Sequence, residues 1–274
     1  MDDVFGYSGK RVLVTGAASG MGAATVTALK QLGAVVIGVD RVEIPGPVDE
    51  AVTVDLLEED SINEGLAQVT GTLDAVFSVA GLPGPPFTDL QVMIVNMVAC
   101  RVLIEGLVDR MPKGSAIACV ASAGGIGWES NIATFTPLFE TEGFRAGVQW
   151  LEDHPEAWSW SGYAASKQAL NVWVAQRSAT LYPERGIRLN ATNPGVTDTA
   201  MLPFFHEANG KDLVDAARGP TGRYSTAEEQ AWPLIFLNSP LASYVSGTGL
   251  YTDGGFHGAL LTGQVDFSHL LPAE

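Results

Sequence analysis

Seven apolar, strand-length runs, most of them separated by segments long enough for a helix, constrain this chain more than any other feature. The runs are Arg11 to Thr15, Ala34 to Val39, Ala51 to Val54, Leu73 to Val79, Ser115 to Val120, Arg188 to Ala191 and Ser246 to Tyr251, the last followed by the turn Asp253-Gly254-Gly255. Short buried runs joined by crossovers predict a parallel sheet covered by helices on both faces. The expected fold class is α/β, a doubly wound Rossmann sheet of about seven strands. A length of 274 residues suits one such domain, and no fixed-period repeat or low-complexity linker divides it.

Two places break the rhythm. The link between the second and third runs contains Pro45-Gly46-Pro47 and is too short and too rich in helix breakers for a crossover helix. Between Ser122 and Tyr163 a long excursion, with its insertion at about 126–160, carries Trp128, Trp150, Trp158, Trp160, Phe135, Phe139 and Phe144. Aromatics at that density predict packing against a substrate, a second subunit or the parent domain.

Thr15 to Gly22 reads T-G-A-A-S-G-M-G, after the first strand and before a helix expected to begin near Met21. In this setting Gly16 permits a sharp turn, Gly20 lets backbone amides approach a pyrophosphate and Gly22 permits close helix packing, with the helix N-terminus adding positive potential. Asp40 closes the second strand at close to the expected spacing of about 20 residues beyond the glycines. Its carboxylate suits free adenosine ribose hydroxyls and repels a 2′-phosphate, so NAD is expected over NADP. Arg41 is in principle able to pair with that phosphate, but Ala17 and Ala18 add no cation in the turn.

Tyr163 and Lys167 stand four residues apart at the start of a helical stretch and so share one face. A phenol of pKa about 10 is a poor base at neutral pH, and a neighbouring cation favours its ionised form.

With these residues in place the chain resembles the short-chain dehydrogenase/reductase family over almost its full length. The matching pieces are Thr15-Gly16-x-x-x-Gly20-x-Gly22, Asp55, Ala80-Gly81, Asn96, Ser122, Tyr163 with Lys167, and Pro194-Gly195, in the family's order. The resemblance implies that Ser122 hydrogen-bonds the substrate oxygen, Tyr163 exchanges the proton, and Lys167 holds the nicotinamide ribose and lowers the tyrosine pKa. It implies that Asn96 positions a water linking Lys167 to solvent, and that Asp55 and Leu56 contact the adenine. Gly16, Ser19, Gly20, Met21, Gly22, Asp40, Ala80 and Gly81 would line the rest of the cofactor site, with Pro194, Gly195, Thr197 and Thr199 around the nicotinamide carboxamide and phosphate. Read singly, Ser122 is equally a strand-end turn residue, Asn96 a helix-kinking residue and the threonines helix caps.

The sequence also departs from the family pattern. Ser78-Val79-Ala80-Gly81 replaces Asn-Asn-Ala-Gly, Ala121 stands where a serine often precedes the catalytic one, and Ala99 replaces a frequent glycine. The shortened second crossover and the long insertion resemble a bacterial branch of 3α-hydroxysteroid dehydrogenase/carbonyl reductases and coniferyl alcohol dehydrogenases. There the insertion lies across a helix face that many relatives use for assembly, which implies a homodimer or homotetramer arranged differently from theirs.

The segment Met201-Leu202-Pro203-Phe204-Phe205 and the polar stretch to Arg223 predict a substrate lid at about 197–223, in which His206 and Arg223 are assigned no role. An apolar lid implies a small apolar alcohol or ketone as substrate, of steroid, terpenoid or aromatic type. An alternative is a catalytically idle NAD(H)-sensing protein on the same fold. A third, a sugar-nucleotide epimerase, is disfavoured by the glycine spacing and by the limited room after the sixth strand.

The balance of 15 basic against 31 acidic residues, a net charge of −16, excludes nucleic acid and anionic membrane surfaces as expected partners. No run of about 20 uninterrupted apolar residues reads as a membrane span. Met1-Asp2-Asp3 lacks the basic and apolar regions of a signal peptide, so a cytoplasmic location is expected. Cys100 and Cys119 read as core residues, and His154, His206, His257 and His269 are scattered, so no metal is expected.

Overall fold

The five inner apolar runs become strands because their residues fit a surface buried on both sides, and the two edge runs complete the sheet with more exposed residues. The computed structural model describes residues 3–265, so His269 lies outside the described residues. The strands are β1 (Arg11–Thr15), β2 (Val35–Asp40), β3 (Glu50–Thr53), β4 (Ala75–Ser78), β5 (Ala116–Val120), β6 (Arg188–Pro194) and β7 (Gly249–Thr252). They form one sheet in the order β3-β2-β1-β4-β5-β6-β7, parallel throughout.

Alternate side chains go to opposite faces, as the pleat requires. Leu13, Ile37, Val76, Ile117 and Leu189 enter one core with α2 (Glu59–Gln68), α4 (Cys100–Val108) and α7 (Gly162–Arg185). Val12, Val14, Val36, Phe77 and Ala118 enter the other with α1 (Gly20–Gln31) and α10 (Ala227–Asn238). The remaining helices are α3 (Asp89–Met93), α5 (Ile132–Phe139), α6 (Gly143–Asp153), α8 (Leu202–Asn209), α9 (Lys211–Ala216) and α11 (Phe256–Leu261).

Three strand limits differ from the sequence expectation by two residues or more, each for a local reason. β4 starts late because Leu73 donates its N–H to the carbonyl of Arg110. β6 runs on through the polar Thr192 and Asn193, both fully buried and paired to β7. β7 starts late because Gly247 has φ +79°, which breaks an extended run.

The stretch from α3 through a π-helical turn (Ile94–Ala99) to α4 is continuous, Asp89–Val108, and by length and composition is apolar enough to cross a membrane. The sequence reading missed this. Its most apolar window is 78% buried inside the fold, which makes it a core helix.

No helix forms between β2 and β3, as the prolines there require. The insertion folds as α5 and α6 with short 3-10 turns, and it packs on its own domain. Phe135, Leu138, Phe144, Leu151 and Trp158 are buried in the same core as α4 and α7, while Trp160 remains exposed. Gly147 of α6 sits so close to the π-helical turn that a β-carbon would lie 2.9 Å from a Val98 methyl.

Arg101 ties the insertion down. Its buried guanidinium donates to the carbonyls of Thr141 (2.7 Å), Phe139 (3.2 Å) and Gly143 (3.4 Å) and to the Thr141 hydroxyl (2.9 Å). Arg101→Met should therefore lower the unfolding free energy by about 2 kcal/mol, since it removes several partly buried charged hydrogen bonds. Urea denaturation measures this; unchanged stability would show that the arginine is not what holds the insertion.

Candidate active site

The glycine turn sits at the carboxyl end of β1, where the strand order reverses. Space there is tight. A β-carbon on Gly22 would lie 1.9 Å from the Gly16 carbonyl oxygen, and one on Gly16 would lie 2.9 Å from the Ala80 backbone. The Ser19 N-cap of α1 makes no side-chain capping bond, so the first amides of that helix stay open to an anion. Thr15 holds the far wall by accepting from the amides of Val79 (3.0 Å) and Ala80 (3.1 Å). This cradle of close backbone and uncapped amides fits a dinucleotide pyrophosphate.

Asp40 is fixed to the turn itself. One carboxylate oxygen accepts from Ala18 N–H (3.0 Å) and the other from Val42 N–H (3.3 Å). Asp55 closes the turn after β3 by accepting from Leu57 N–H (2.9 Å), which places Leu56 between them in a bend. From the other side, β6 ends at Pro194, and Gly195 approaches the turn after β7 so closely that a β-carbon would meet Asp253 at 2.8 Å. Thr197 bonds the Gly195 carbonyl (3.1 Å) and the Ser225 hydroxyl (2.9 Å). The Thr199 methyl lies 3.6 Å from where a Gly20 β-carbon would be, so the segment after β6 reaches back to the glycine turn. Met21 follows as a partly buried residue of α1.

Ser122, Tyr163 and Lys167 meet where β5 ends and α7 begins. Ser161 caps α7 through Ala164 N–H (3.2 Å), which sets the phase that turns Tyr163 and Lys167 to one side. Ser122 caps the 3-10 turn after β5 by accepting from Gly124 N–H (2.9 Å). The Lys167 ammonium is buried, donates to the Val120 carbonyl (2.9 Å) and lies 5.6 Å from the centre of the Tyr163 ring.

Burial pushes the Tyr163 phenol up, and the hydrogen-bonding Ser122 hydroxyl pulls against that. Burial also brings Lys167 down to about 8, opposed by the neighbouring Cys100 and Cys119 thiols. The sequence reading assigned the lowering of the tyrosine to Lys167. In the protein alone, desolvation of both groups outweighs that effect.

Asn96 lies in the π-helical turn and acts as a brace. Its amide oxygen accepts from Leu82 N–H (2.7 Å), and its amide nitrogen donates to the Leu82 carbonyl (3.0 Å) and to the Ser166 hydroxyl (3.1 Å). Gly81 lies against it, because a β-carbon there would come within 3.1 Å of the same amide oxygen. Ser78, in place of the family asparagine, is buried with its hydroxyl 3.2 Å from the Cys100 sulfur. Both cysteines are free and buried.

Several supporting residues escaped the sequence reading. Asn171 and Asn193 exchange side-chain amide bonds (2.9 and 3.2 Å), and Asn193 also accepts from Ser122 N–H (3.3 Å). This pair joins α7, β6 and the serine loop. The ring of Phe205 in α8 stands edge-on to Tyr163, with centroids 5.0 Å apart. The i, i+4 spacing from Met201 carries no sign of that contact. Farther along the segment expected to form a lid, His206 bonds the Tyr224 hydroxyl (3.1 Å), Tyr224 donates to Asp215, and Arg223 pairs with Glu229 (2.6 Å) at the cap of α10. Among the described residues no cluster of His, Cys, Asp or Glu is placed to hold a metal ion.

A dinucleotide cradle beside a buried lysine and a half-buried serine and tyrosine defines an oxidoreductase of the dinucleotide-dependent α/β class. Comparison with known proteins takes this further. Residues 151–257 match the family described as Enoyl-(Acyl carrier protein) reductase, and residues 12–125 match the NAD dependent epimerase/dehydratase family. The chain is 30% identical over 246 residues to a coniferyl-alcohol dehydrogenase of a Pseudomonas species, covering 90% of this chain and 96% of that one. It is 31% identical over 261 residues to the 3-alpha-hydroxysteroid dehydrogenase/carbonyl reductase of Comamonas testosteroni, covering 89% and 95%. The crystal structure of a 3-alpha-hydroxysteroid dehydrogenase from a Pseudomonas species, complexed with NADH, superposes with a TM-score of 0.78 at 26% identity, covering 94% of this chain and all of that one. The chain belongs to the short-chain dehydrogenase/reductase family and is an enzyme of its alcohol dehydrogenase/ketoreductase type.

Proposed function

We propose that this enzyme uses NAD to oxidise a secondary alcohol on a hydrophobic molecule of steroid, terpenoid or aromatic type, and catalyses the reverse reduction of the ketone. The observation that carries this reading is the meeting of Ser122, Tyr163 and Lys167 beneath the lid phenylalanine Phe205.

Ser122 donates a hydrogen bond to the substrate oxygen. Ionised Tyr163 takes the alcohol proton in oxidation, and its hydroxyl returns that proton in reduction. Lys167 holds the nicotinamide ribose. When bound, the dinucleotide takes up or gives the hydride, and its positive ring favours the phenolate. Asn96 braces the loop after β4, and a role in ordering water beside Lys167 falls to its backbone, since its amide is engaged.

Residues 197–223 form the lid, and its phenylalanines favour an apolar substrate. The insertion occupies the α4 and α7 side of the domain, so a homodimer or homotetramer would assemble through another face.

The NAD preference rests on Asp40, whose carboxylate is pinned at the turn where a 2′-phosphate would have to sit. Repulsion of about 1 kcal/mol or more at such range should favour NAD over NADP in kcat/KM by roughly fivefold or more, and Asp40→Ala should narrow the gap. A preference for NADP would overturn the assignment. Steroid, terpenoid and aromatic alcohols assayed with NAD, following NADH absorbance, test the substrate class; tight NADH binding without turnover of any of them would favour the sensor reading.

A further inference from the structure

Arg41 follows β2, and Phe87 lies in the loop between β4 and α3, so their loops start from strands on opposite sides of β1. The Arg41 guanidinium carbon nonetheless lies 5.5 Å from the centre of the Phe87 ring. A contact between these loops spans the carboxyl end of β1, directly over the crevice where the glycine turn begins.

The Arg41 side chain has no carboxylate partner among the described residues. Its neighbour Asp40 is engaged with backbone amides, and the ring of Phe87 is the group it faces. In a chain of net charge −16, an unpaired cation beside the acid proposed to address the ribose stands out. The ring is firmly carried as well. Phe87 donates its N–H to the Gly84 carbonyl (3.0 Å), and the next residue, Thr88, forms a capping box with Gln91 at the start of α3.

We propose that Arg41 and Phe87 are two further cofactor-binding residues, joined as a strap over the adenosine half of the dinucleotide. This rests on the reading of the glycine turn and Asp40 as the dinucleotide site. A guanidinium lying on an aromatic face keeps its N–H edges free, and here those edges are available to phosphate oxygens below. The strap closes the crevice after the dinucleotide enters and must open before it leaves. It therefore acts on cofactor release and not on hydride transfer. Because it contacts the adenosine half alone, ADP-ribose should feel it and nicotinamide mononucleotide should not.

The experiment uses the full chain and four variants: Arg41→Ala, Phe87→Ala, the double variant and the conservative Phe87→Tyr. NADH dissociation is followed by stopped-flow fluorescence, and ADP-ribose and nicotinamide mononucleotide binding by calorimetry. Each alanine variant should release NADH roughly two- to fivefold faster, the factor an exposed cation–π contact supplies, and weaken ADP-ribose by a similar factor. The double variant should match Arg41→Ala, because Phe87 acts only through the arginine it holds, and Phe87→Tyr should behave as wild type. Additive single effects, or unchanged release in variants of a protein that binds NADH and ADP-ribose well, would overturn the strap while leaving the dinucleotide site intact. A wild-type protein that binds neither ligand would overturn both. Arg41 is exposed, so Arg41→Ala keeps the test open even if Phe87→Ala fails to fold.

Discussion

Tyr163→Phe should lower kcat/KM by about 10²–10⁴, the range that a positioned proton-transfer group contributes, while NADH affinity stays near its wild-type value. The substitution removes one oxygen and keeps the ring. That ring is what meets Phe205 edge-on at 5.0 Å and lies 5.6 Å from the Lys167 ammonium, so α8 and the lysine keep their packing. The loss would then report the proton alone. Near-normal turnover would sink the mechanism. Because burial raises the phenol and oxidation needs its ionised form, the oxidation rate of the wild type should rise with pH and the reduction rate should fall; an oxidation rate that is flat with pH would count against Tyr163 as the base.

Lys167→Met should remove activity by two orders of magnitude or more and change how stability depends on pH. Lys167 is buried and its ammonium titrates at about 8, below the ordinary 10.5. Below pH 8 the folded protein carries the full cost of a buried charge. Between about 8 and 10.5 the unfolded chain holds the proton more tightly than the folded one, so this group makes stability rise with pH. At 1.36 kcal/mol per pKa unit the cost is on the order of 3 kcal/mol. The lost bond to the Val120 carbonyl destabilises the variant at every pH, so the informative quantity is the slope. The stability of the methionine variant relative to wild type should fall by about 3 kcal/mol from pH 7 to above pH 10, as measured by urea denaturation. A pH-independent difference would show that Lys167 is not a destabilised cation.

The two variants probe different costs of the same site. A lysine buried against a backbone carbonyl weakens the fold, and side-chain amides brace the elements around it. The Asn171–Asn193 pair holds the Ser122 loop against α7, and Asn96 holds the loop after β4 against Ser166. Neither pair supplies a reacting group. Both set the distances at which Ser122, Tyr163 and Lys167 stand.

What was legible in the sequence was what depends on neighbours along the chain. Strand runs, the glycine turn before α1, Asp40 closing β2 and the spacing of Tyr163 from Lys167 are all short-range patterns, and backbone sterics turn each of them into one local shape. The missing second crossover was legible for the same reason, because Pro45-Gly46-Pro47 forbids a helix wherever it lies.

The rest depends on residues far apart in the chain. Asn171 meets Asn193 because the fold packs α7 against β6, and Asn96 meets Ser166 because it packs α7 against the helical stretch after β4; no spacing encodes such a pairing. The aromatic insertion announced that it would pack but not on what, since a Trp or Phe buries its area equally well against a ligand, a partner or its own domain. Tertiary structure chose the domain, through Phe135, Leu138 and Trp158 in the core and the Arg101 bonds to 139–143. It also decided the protonation setting of the site. From sequence, Lys167 was a cation that lowers its tyrosine; in the fold, desolvation raises the phenol and lowers the ammonium, because burial is a property of the whole packed chain and not of a four-residue spacing.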